Sequence, residues 1–592
     1  MLQIRKHGGH VPEPKPRPTE TPFDYLLPDL PTKAENLLPG DPTKVTGDLR
    51  RLGAALIDSG PPAATDPVVK VNSTIPAVYT YWGQFIDHDM TANTDRDSAV
   101  SDITKTPLTP LPPADVTKNL KNLRRPSFDL DSVYGNGPGL DDDFYCPDPG
   151  PPDTGFYDGI RLRVGQNATA GPGVRIPPDE DLSRDLPRIG PLLRDQLITE
   201  DEIPDDLKQD DNTKNTFAFI GDGRNDENLI VAQFHLAVLR FHNNVVDEVE
   251  ANPEQYGLDQ SASDAERFKV VNRLVRYHYQ WLCVNDYLKT VTLPGVVDKI
   301  LVGGTKHYEP LGGPGGELFA PLEYSVAAFR FGHSMVRGGY DHNRNFGSPV
   351  PPSVTPLQRF ASFEDLFRFT GDGHELLAGD ITKSTRSPFR GAPTLPFNWI
   401  IEWERMTNKA DANEGHFARK IDTRLAPAIL NMVNQGNAGN IQDDSNPANK
   451  PLRQLLRGLA MRNLLRGYLL SIPTGQAVAK AMGVDALSEA ELRQGNTDAV
   501  NLALQGGGFL VNTPLWFYIL KEAEVRANGN SLGELGSRIV AETQIGVMCN
   551  DDRSYLNDPD GEWDPSKGVQ LPNDGGAIVT IRDFFKFAEL AA

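Results

Sequence analysis

Cysteine is scarce in this chain, which has only Cys146, Cys283 and Cys549 among its 592 residues. Their number and wide spacing exclude a disulfide framework and a CxxC metal knuckle, so the fold must depend on core packing or on a bound cofactor. No run approaches the ~18 consecutive apolar residues of a membrane-spanning helix. The start of the chain also lacks the apolar segment of a secretory signal.

Basic residues are in deficit as well. The 59 Lys and Arg residues against 80 Asp and Glu residues give a net charge of −21. This balance argues against a nucleic-acid groove or an anionic membrane as the main partner. Hydrophobic residues at 39% and charged residues at 23% are close to globular averages, so we expect a large packed core.

The regular elements are predicted to be helices, and the fold class is mainly α. The clearest helix is expected at about 225–250, where apolar residues recur at three- and four-residue spacing, whereas strand alternation is rare. Proline and glycine clusters predict long irregular loops between the helices. Residues 1–45 are rich in proline and charge, which predicts an extended arm or a disordered tail. No linker divides residues 46–592, which we expect to form a single domain.

The segment WGQFIDHD, residues 82–89, places polar groups on a predicted helix. Gln84, Asp87 and His88 stand at i, i+3 and i+4 and share one face, while Asp89 is turned about 100° away. An isolated histidine of this kind is commonly a hydrogen-bonded core residue. The His88–Asp89 pair is also compatible with an HD-type metal-dependent phosphohydrolase, which needs further His and Asp ligands.

The segment GDGRNDE, residues 221–227, directly precedes the long apolar periodicity. Arg224 and Glu227 are i, i+3 in what we expect to be the first helical turn, where the helix dipole favours a negative charge. The plainer interpretation is an N-cap at Asp222 or Asp226 with an exposed ion pair.

Two further segments repeat the i, i+3 arrangement inside apolar helices. FRFGH contains Arg330 and His333, and a buried pair of this kind requires an anionic partner and an acceptor or a metal. RNLLRG contains Asn463 and Arg466 among leucines. Asn463 could equally be an ordinary amide in the interior of a helix.

Taken in order, these four segments resemble the haem-binding motifs of the animal haem peroxidase family, the peroxidase-cyclooxygenase superfamily that includes myeloperoxidase and lactoperoxidase. The resemblance implies a large, mainly α haem peroxidase domain with long loops and little β structure. The low cysteine content indicates a bacterial-type member rather than a disulfide-rich secreted one.

The resemblance also implies roles for individual residues around haem b. His88 resembles the distal base, with Gln84 beside it, and Arg224 resembles the distal arginine. His333 resembles the axial iron ligand, whose second ring nitrogen would donate to Asn463. The remaining expectations are that Asp87 and Glu227 can form ester bonds to haem methyl groups, and that Arg330 and Arg466 face the propionates. Asn228 stands where myeloperoxidase has a methionine, so a sulfonium link is not expected.

A calcium site is implied next to the distal histidine. Asp89 matches one part of it, and RPSFDLDSVYG, residues 125–135, matches the other through Asp129, Asp131 and the backbone carbonyl of Ser127. Such hard oxygen ligands suit Ca²⁺. Arg125 stands where the family usually has a threonine ligand, so the coordination is expected to be reduced or rearranged. The alternative is an ordinary Asx-rich turn.

The resulting hypothesis is a haem peroxidase that reduces hydrogen peroxide and oxidises halide, thiocyanate or small aromatic donors through a ferryl intermediate. A fatty-acid oxygenase of the same superfamily is less favoured, because those enzymes have a radical-forming tyrosine where this chain has Arg330. A non-enzymatic calcium-binding or adhesive protein is disfavoured by the presence of both His88 and Arg224. The resemblance favours a secreted or periplasmic location, and the sequence leaves the oligomeric state open.

Overall fold

Helices make up most of the regular structure in the computed structural model of the chain. The structure describes residues 20–57, 71–92, 100–135, 157–158, 160–168, 181–200, 203, 216–347, 360–370, 394–408, 414–432, 445–572 and 575–591. Among these residues, none of the helices combines the length and the apolar character that crossing a membrane requires.

Five long helices support the candidate site. They are α1 (Val78–Met90), α2 (Leu229–Ala251), α3 (Asp264–Leu282), α4 (Leu459–Leu469) and α5 (Leu515–Arg526). The remaining α-helices are Pro42–Ala55, Pro113–Asn119, Asp131–Tyr134, Ile189–Arg194, Lys289–Val291, Val296–Gly303, Gly332–Met335, Glu404–Thr407, Pro427–Leu430, Asn449–Arg457, Gly475–Ala481, Glu489–Arg493, Asp498–Gly507, Glu534–Cys549 and Ile581–Phe587.

Shorter turns of other helix types connect them. The 3₁₀ turns are Ala34–Asn36, Gly223–Asp226, Pro253–Tyr256, Ala328–Phe331, Glu364–Phe367, Phe397–Trp399, Glu414–His416, Tyr555–Asn557 and Pro565–Lys567. The π-helical segments are Cys283–Leu288 and Glu323–Ala327.

The strands are short. Thr21–Asp24 pairs antiparallel with Lys121–Asn122 and parallel with Ala320–Pro321. Three antiparallel pairs complete the set: Asn72–Pro76 with Phe417–Arg419, Tyr157–Asp158 with Arg161–Leu162, and Gly339–Tyr340 with Ala361–Ser362.

The centre of the core lies where α1, α2 and α3 pack together. Helix α2 is apolar over most of its circumference and is buried along most of its length, as expected for a helix surrounded by protein. Phe85 of α1 contacts Phe234 of α2 with 5.0 Å between ring centroids. This packing fixes α1, and with it the predicted Gln84, Asp87 and His88 face, relative to the start of α2.

Two helix predictions need correction. The helix expected from about 225 begins at Leu229, because the Asn228 side chain caps it by accepting from the Val231 backbone N–H. Arg224 therefore lies in the preceding 3₁₀ turn, which is capped by Asp222. The segment around FRFGH is an irregular helix, changing from π to 3₁₀ to α over residues 323–335, which is typical of functional sites.

The described part of the predicted N-terminal arm is held against the body. Its strand Thr21–Asp24 joins the small sheet, and the buried Glu323 carboxylate accepts from the backbone N–H groups of Leu26 and Leu27 at 2.7 and 3.2 Å. Helix Pro42–Ala55 also starts within it. Residues 1–19 lie outside the described residues, so the arm as a whole stays a prediction.

Candidate active site

A cavity lies between α1, the residues directly before α2 and the 323–335 segment. Most of the predicted site residues line it, namely Gln84, Asp87, His88, Glu227, Arg330 and His333, together with Asn228. The sequence motifs, far apart in the chain, thus converge on one cavity.

His88 is fully buried on the α1 side of the cavity. Its Nδ1 lies 2.9 Å from the Asn225 side-chain oxygen, and the Asn225 side-chain nitrogen lies 3.0 Å from His235 Nδ1. Sequence analysis missed both Asn225 and His235. The available signal was a histidine in the apolar α2 pattern and an amide directly after Arg224.

Gln84 and Glu227 form a polar contact beside His88. The Gln84 amide donates to a Glu227 carboxylate oxygen at 2.6 Å and accepts from the Asn228 amide at 3.0 Å. Asp87 accepts from the Thr91 hydroxyl at 2.9 Å. Helix α1 and the start of α2 thus present two carboxylates to the same cavity, as the resemblance implies.

Arg224 lies next to His88 but is not among the cavity-lining residues. Its guanidinium pairs with Asp222 at 2.7 Å and donates to the backbone carbonyls of His88 and Thr91 at 2.8 and 2.9 Å. Asp222 is buried and also pairs with Arg124. Burial opposes its ionisation, yet Arg124 and Arg224 hold the pKa of this carboxyl well below its usual range.

His333 and Arg330 line the cavity from the 323–335 segment. The Asn463 side-chain amide lies 2.8 Å from His333 Nδ1 through its nitrogen, and its oxygen has no hydrogen-bond partner among the described residues. Amide oxygen and nitrogen occupy interchangeable positions, so a 180° rotation gives the predicted bond from Nδ1–H to the oxygen. Arg330 is buried, and its Nε donates to the Ser325 carbonyl at 2.9 Å.

Arg466 differs from the other predicted site residues on this side. It is buried on α4, near Asn463, but it is not among the cavity-lining residues. The structure therefore brings Arg330, and not Arg466, to the cavity wall.

Asp89 points away from the cavity, as the helix geometry predicts. Its carboxylate gathers with those of Asp129 and Asp131, and one oxygen of each lies within 4.8 Å of the others. All three residues are buried. This cluster contains no histidine, which is unlike the ligand set of an HD-type phosphohydrolase.

Two basic side chains contact the Asp129 carboxylate of this cluster, and an amide contacts the nearby Ser127 backbone. Arg125 Nε lies 3.2 Å from an Asp129 oxygen, and Arg553 lies 3.4 Å from the same atom. The Ser127 backbone carbonyl accepts from the Gln280 amide at 3.3 Å. The three carboxylates predicted to bind calcium are thus brought together, with Arg125 beside Asp129.

Comparisons with known proteins agree with this arrangement. Residues 188–387 match the family model of the animal haem peroxidases. A peroxidase-like protein of Margaritifera margaritifera is 28% identical over 130 residues, which cover 22% of this chain and only 16% of that relative.

Among solved structures, peroxidase A of Dictyostelium discoideum has a TM-score of 0.52 at 15% identity, over 94% of this chain and 95% of its own, and it shows the shared fold. A fatty acid alpha-dioxygenase of Oryza sativa has a TM-score of 0.49 at 13% identity, covering 97% of this chain and 82% of its own.

The family match includes Arg224, Glu227 and His333, and the fold is the mainly helical one that the resemblance implies. Residues 188–387 therefore match the animal haem peroxidase family, within a chain that has the fold of a peroxidase.

Proposed function

We propose that the protein is a haem peroxidase that reduces hydrogen peroxide and oxidises a small donor, such as halide, thiocyanate or a phenol. The observation that carries this proposal is that His88 and His333, from two different elements, line one cavity. Two imidazoles at one cavity can supply an iron ligand and a proton acceptor, the two groups that this chemistry needs.

The residues of the cavity fit a haem group. Its walls are largely apolar, as a porphyrin requires, and include Phe329, Val336, Phe363, Phe367, Ile429, Met432 and Leu459. Arg330 places a buried cation at the wall, where a propionate would be a suitable partner. His333 would ligate the iron through Nε2, because Nδ1 is engaged by Asn463.

The bound haem would supply the iron that binds peroxide and takes up its oxidising equivalents. The protein's part is proton transfer: neutral His88 accepts a proton at Nε2 from the inner peroxide oxygen and returns it to the departing outer oxygen. In this structure Arg224 holds the backbone carbonyl of His88. Direct stabilisation of the departing oxygen by Arg224 requires its guanidinium to leave Asp222.

The proposal also includes ester links to the haem and a bound calcium ion. Asp87 and Glu227 line the cavity from two different elements, which supports ester links to the haem. The Asp89, Asp129 and Asp131 cluster supports a Ca²⁺ ion behind α1, because three buried carboxylates offer hard oxygen ligands. A peroxidase is preferred to a fatty-acid oxygenase because Arg330 occupies the position of the oxygenase tyrosine.

The visible absorption spectrum of the haem-supplied protein tests the proposal. We expect a Soret band and peroxide-dependent oxidation of a phenol. His88→Ala should retain the band and lose at least about 100-fold in turnover, since general acid–base catalysis contributes about 10²–10⁴-fold. His333→Ala should lose most of the band. Absence of a Soret band in the wild type, or equal turnover in all three proteins, would contradict the proposal.

A further inference from the structure

His88 is the first of three buried side chains that are linked by hydrogen bonds. His88 Nδ1 contacts the Asn225 oxygen at 2.9 Å, and the Asn225 nitrogen contacts His235 Nδ1 at 3.0 Å. Each of the three residues is fully buried. Asn225 lies in the 3₁₀ turn before α2, and His235 lies on α2 itself. These hydrogen bonds therefore connect α1 to α2.

The orientation of the Asn225 amide, with its oxygen at His88 and its nitrogen at His235, sets the direction of these hydrogen bonds. An asparagine side chain donates only through its nitrogen and accepts only through its oxygen. Burial lowers the pKa of His235 to about 3, so His235 is neutral, and its Nδ1 accepts from the Asn225 nitrogen. The Asn225 oxygen then accepts from His88 Nδ1–H. A neutral imidazole carries one proton, so the lone pair of His88 lies at Nε2.

A histidine at position 235 lowers the stability of the fold. Its Nε2 has no hydrogen-bond partner among the described residues. A buried polar group without a partner costs about 1–3 kcal/mol. A leucine or phenylalanine on this apolar helix would avoid that cost, which indicates that the contact of Nδ1 with Asn225 is the reason for a histidine here.

We propose that Asn225 and His235 are positioning residues that hold His88 in the Nδ1–H tautomer. His235 orients the Asn225 amide, and the amide oxygen in turn fixes the proton of His88. The catalytic consequence rests on the proposed function, because proton abstraction from peroxide needs the lone pair at Nε2. The tautomer itself does not depend on that function and can be observed directly.

The first readout is the tautomer of His88 by ¹⁵N NMR. It uses the full-length protein labelled with ¹⁵N-histidine, with bound haem held in the diamagnetic carbon monoxide-bound ferrous form. The His88 signal is assigned by its absence in His88→Gln. We expect the wild type to carry the proton at Nδ1. A proton at Nε2 of His88 in the wild type would overturn the proposal.

Two variants of His235 separate positioning from packing. His235→Leu removes the acceptor, and we expect the Nδ1–H preference of His88 to be lost. His235→Asn restores an acceptor at the δ position, and we expect the preference to return. Circular dichroism checks that both variants fold. An unchanged His88 tautomer in His235→Leu would contradict the role of His235, and so would a failure of a folded His235→Asn to restore it.

The second readout is the rate of the peroxide reaction in the haem-loaded proteins. We expect a loss of about tenfold or more in His235→Leu and recovery to within about threefold of wild type in His235→Asn. If the wild type does not react with peroxide although the tautomer depends on His235, the proposed function fails and the positioning role stands. If all three react equally fast, the positioning role fails and the proposed function stands.

Discussion

At the scale of single residues, the carboxylates of Asp87 and Glu227 differ in their partners. Glu227 accepts from the Gln84 amide, whereas Asp87 accepts from the Thr91 hydroxyl of its own helix. Each would have to release or share an oxygen to bond a haem methyl carbon. The two links are therefore separable by mutation.

We predict that haem resists acidic organic extraction in the wild type, because the two proposed ester links would hold it. Asp87→Asn and Glu227→Gln should each leave one link, and the double variant should release the haem fully. Gln84→Ala is the control, since it removes a hydrogen bond of Glu227 and keeps the carboxylate. Absorbance of the extracted phase measures the outcome; complete release from the wild type would show that the links do not form.

Arg125 is one of the residues expected to weaken the binding of calcium that we propose for the carboxyl cluster. Its guanidinium lies 3.2 Å from an Asp129 oxygen and competes with a cation for that carboxylate. We predict that Arg125→Thr binds Ca²⁺ about tenfold or more tightly than the wild type, measured by titration calorimetry after chelator treatment. Arg161→Thr changes the net charge equally at an exposed ion pair. Equal affinities in all three proteins would argue against a calcium site at this cluster.

At the scale of elements, α1 must approach its neighbours closely along one face. A Cβ on Gly83 would lie 2.3 Å from the hydroxyl oxygen of Tyr287, which is buried and lines the cavity with Gly83. On α4, a Cβ on Gly467 would meet nothing within 4 Å. Close packing therefore requires a glycine at position 83, whereas there is room for a side chain at position 467.

We predict that Gly83→Ala lowers the free energy of unfolding by about 1–3 kcal/mol, because overpacking outweighs the gain in helix propensity. It should also weaken haem binding, because Tyr287 has to move. The matched Gly467→Ala should be neutral or stabilising by up to about 1 kcal/mol. Chemical unfolding of both variants measures this difference, and equal effects would contradict it.

The sequence predicts the faces of α1 correctly, but it does not predict the irregular helical turns or the cap of α2. The 3.6-residue period correctly separates the faces of α1, since Asp87 and His88 line the cavity while Asp89 meets Asp129. The period cannot reveal a change of hydrogen-bond register, so the π and 3₁₀ turns before His333 were not predicted. The cap at Asn228 was missed because a side-chain cap and an early helical residue look alike in an apolar pattern.

At the scale of the whole molecule, four buried histidines make the fold sensitive to acid. Burial lowers the pKa values of His235 and His278 to about 3 and those of His242 and His342 to about 4. In the unfolded chain these residues titrate near 6.5. Between about pH 6.5 and 4 the unfolded chain therefore binds more protons, and stability falls as the pH falls.

Two buried carboxyls act in the opposite direction. Burial raises the pKa values of Glu323 and Asp422 to about 7. Their contribution to stability is present below the unfolded pKa and is lost as the pH rises through 7. The buried histidines and the buried carboxyls therefore change stability in opposite directions between about pH 4 and 7.

Replacing His342 isolates the contribution of one buried histidine to the pH dependence of stability. Neither of its ring nitrogens has a hydrogen-bond partner among the described residues, and it stacks on Phe346 with 5.2 Å between ring centroids. We predict that His342→Phe loses about 2 kcal/mol less stability than the wild type between pH 7.5 and 5, since one pKa unit corresponds to about 1.36 kcal/mol. Urea unfolding at both pH values measures the slopes, and parallel slopes would refute the prediction.

The cavity is lined by residues from Thr80 to Leu459, and its two histidines come from distant parts of the chain. Loop closure over such separations is slow and costly. During synthesis the chain emerges from its N-terminus, so α1 is made before the 323–335 segment and α4, and the cavity can form only after all three are present. Haem would then bind late in folding, and the appearance of the Soret band would report that folding is complete.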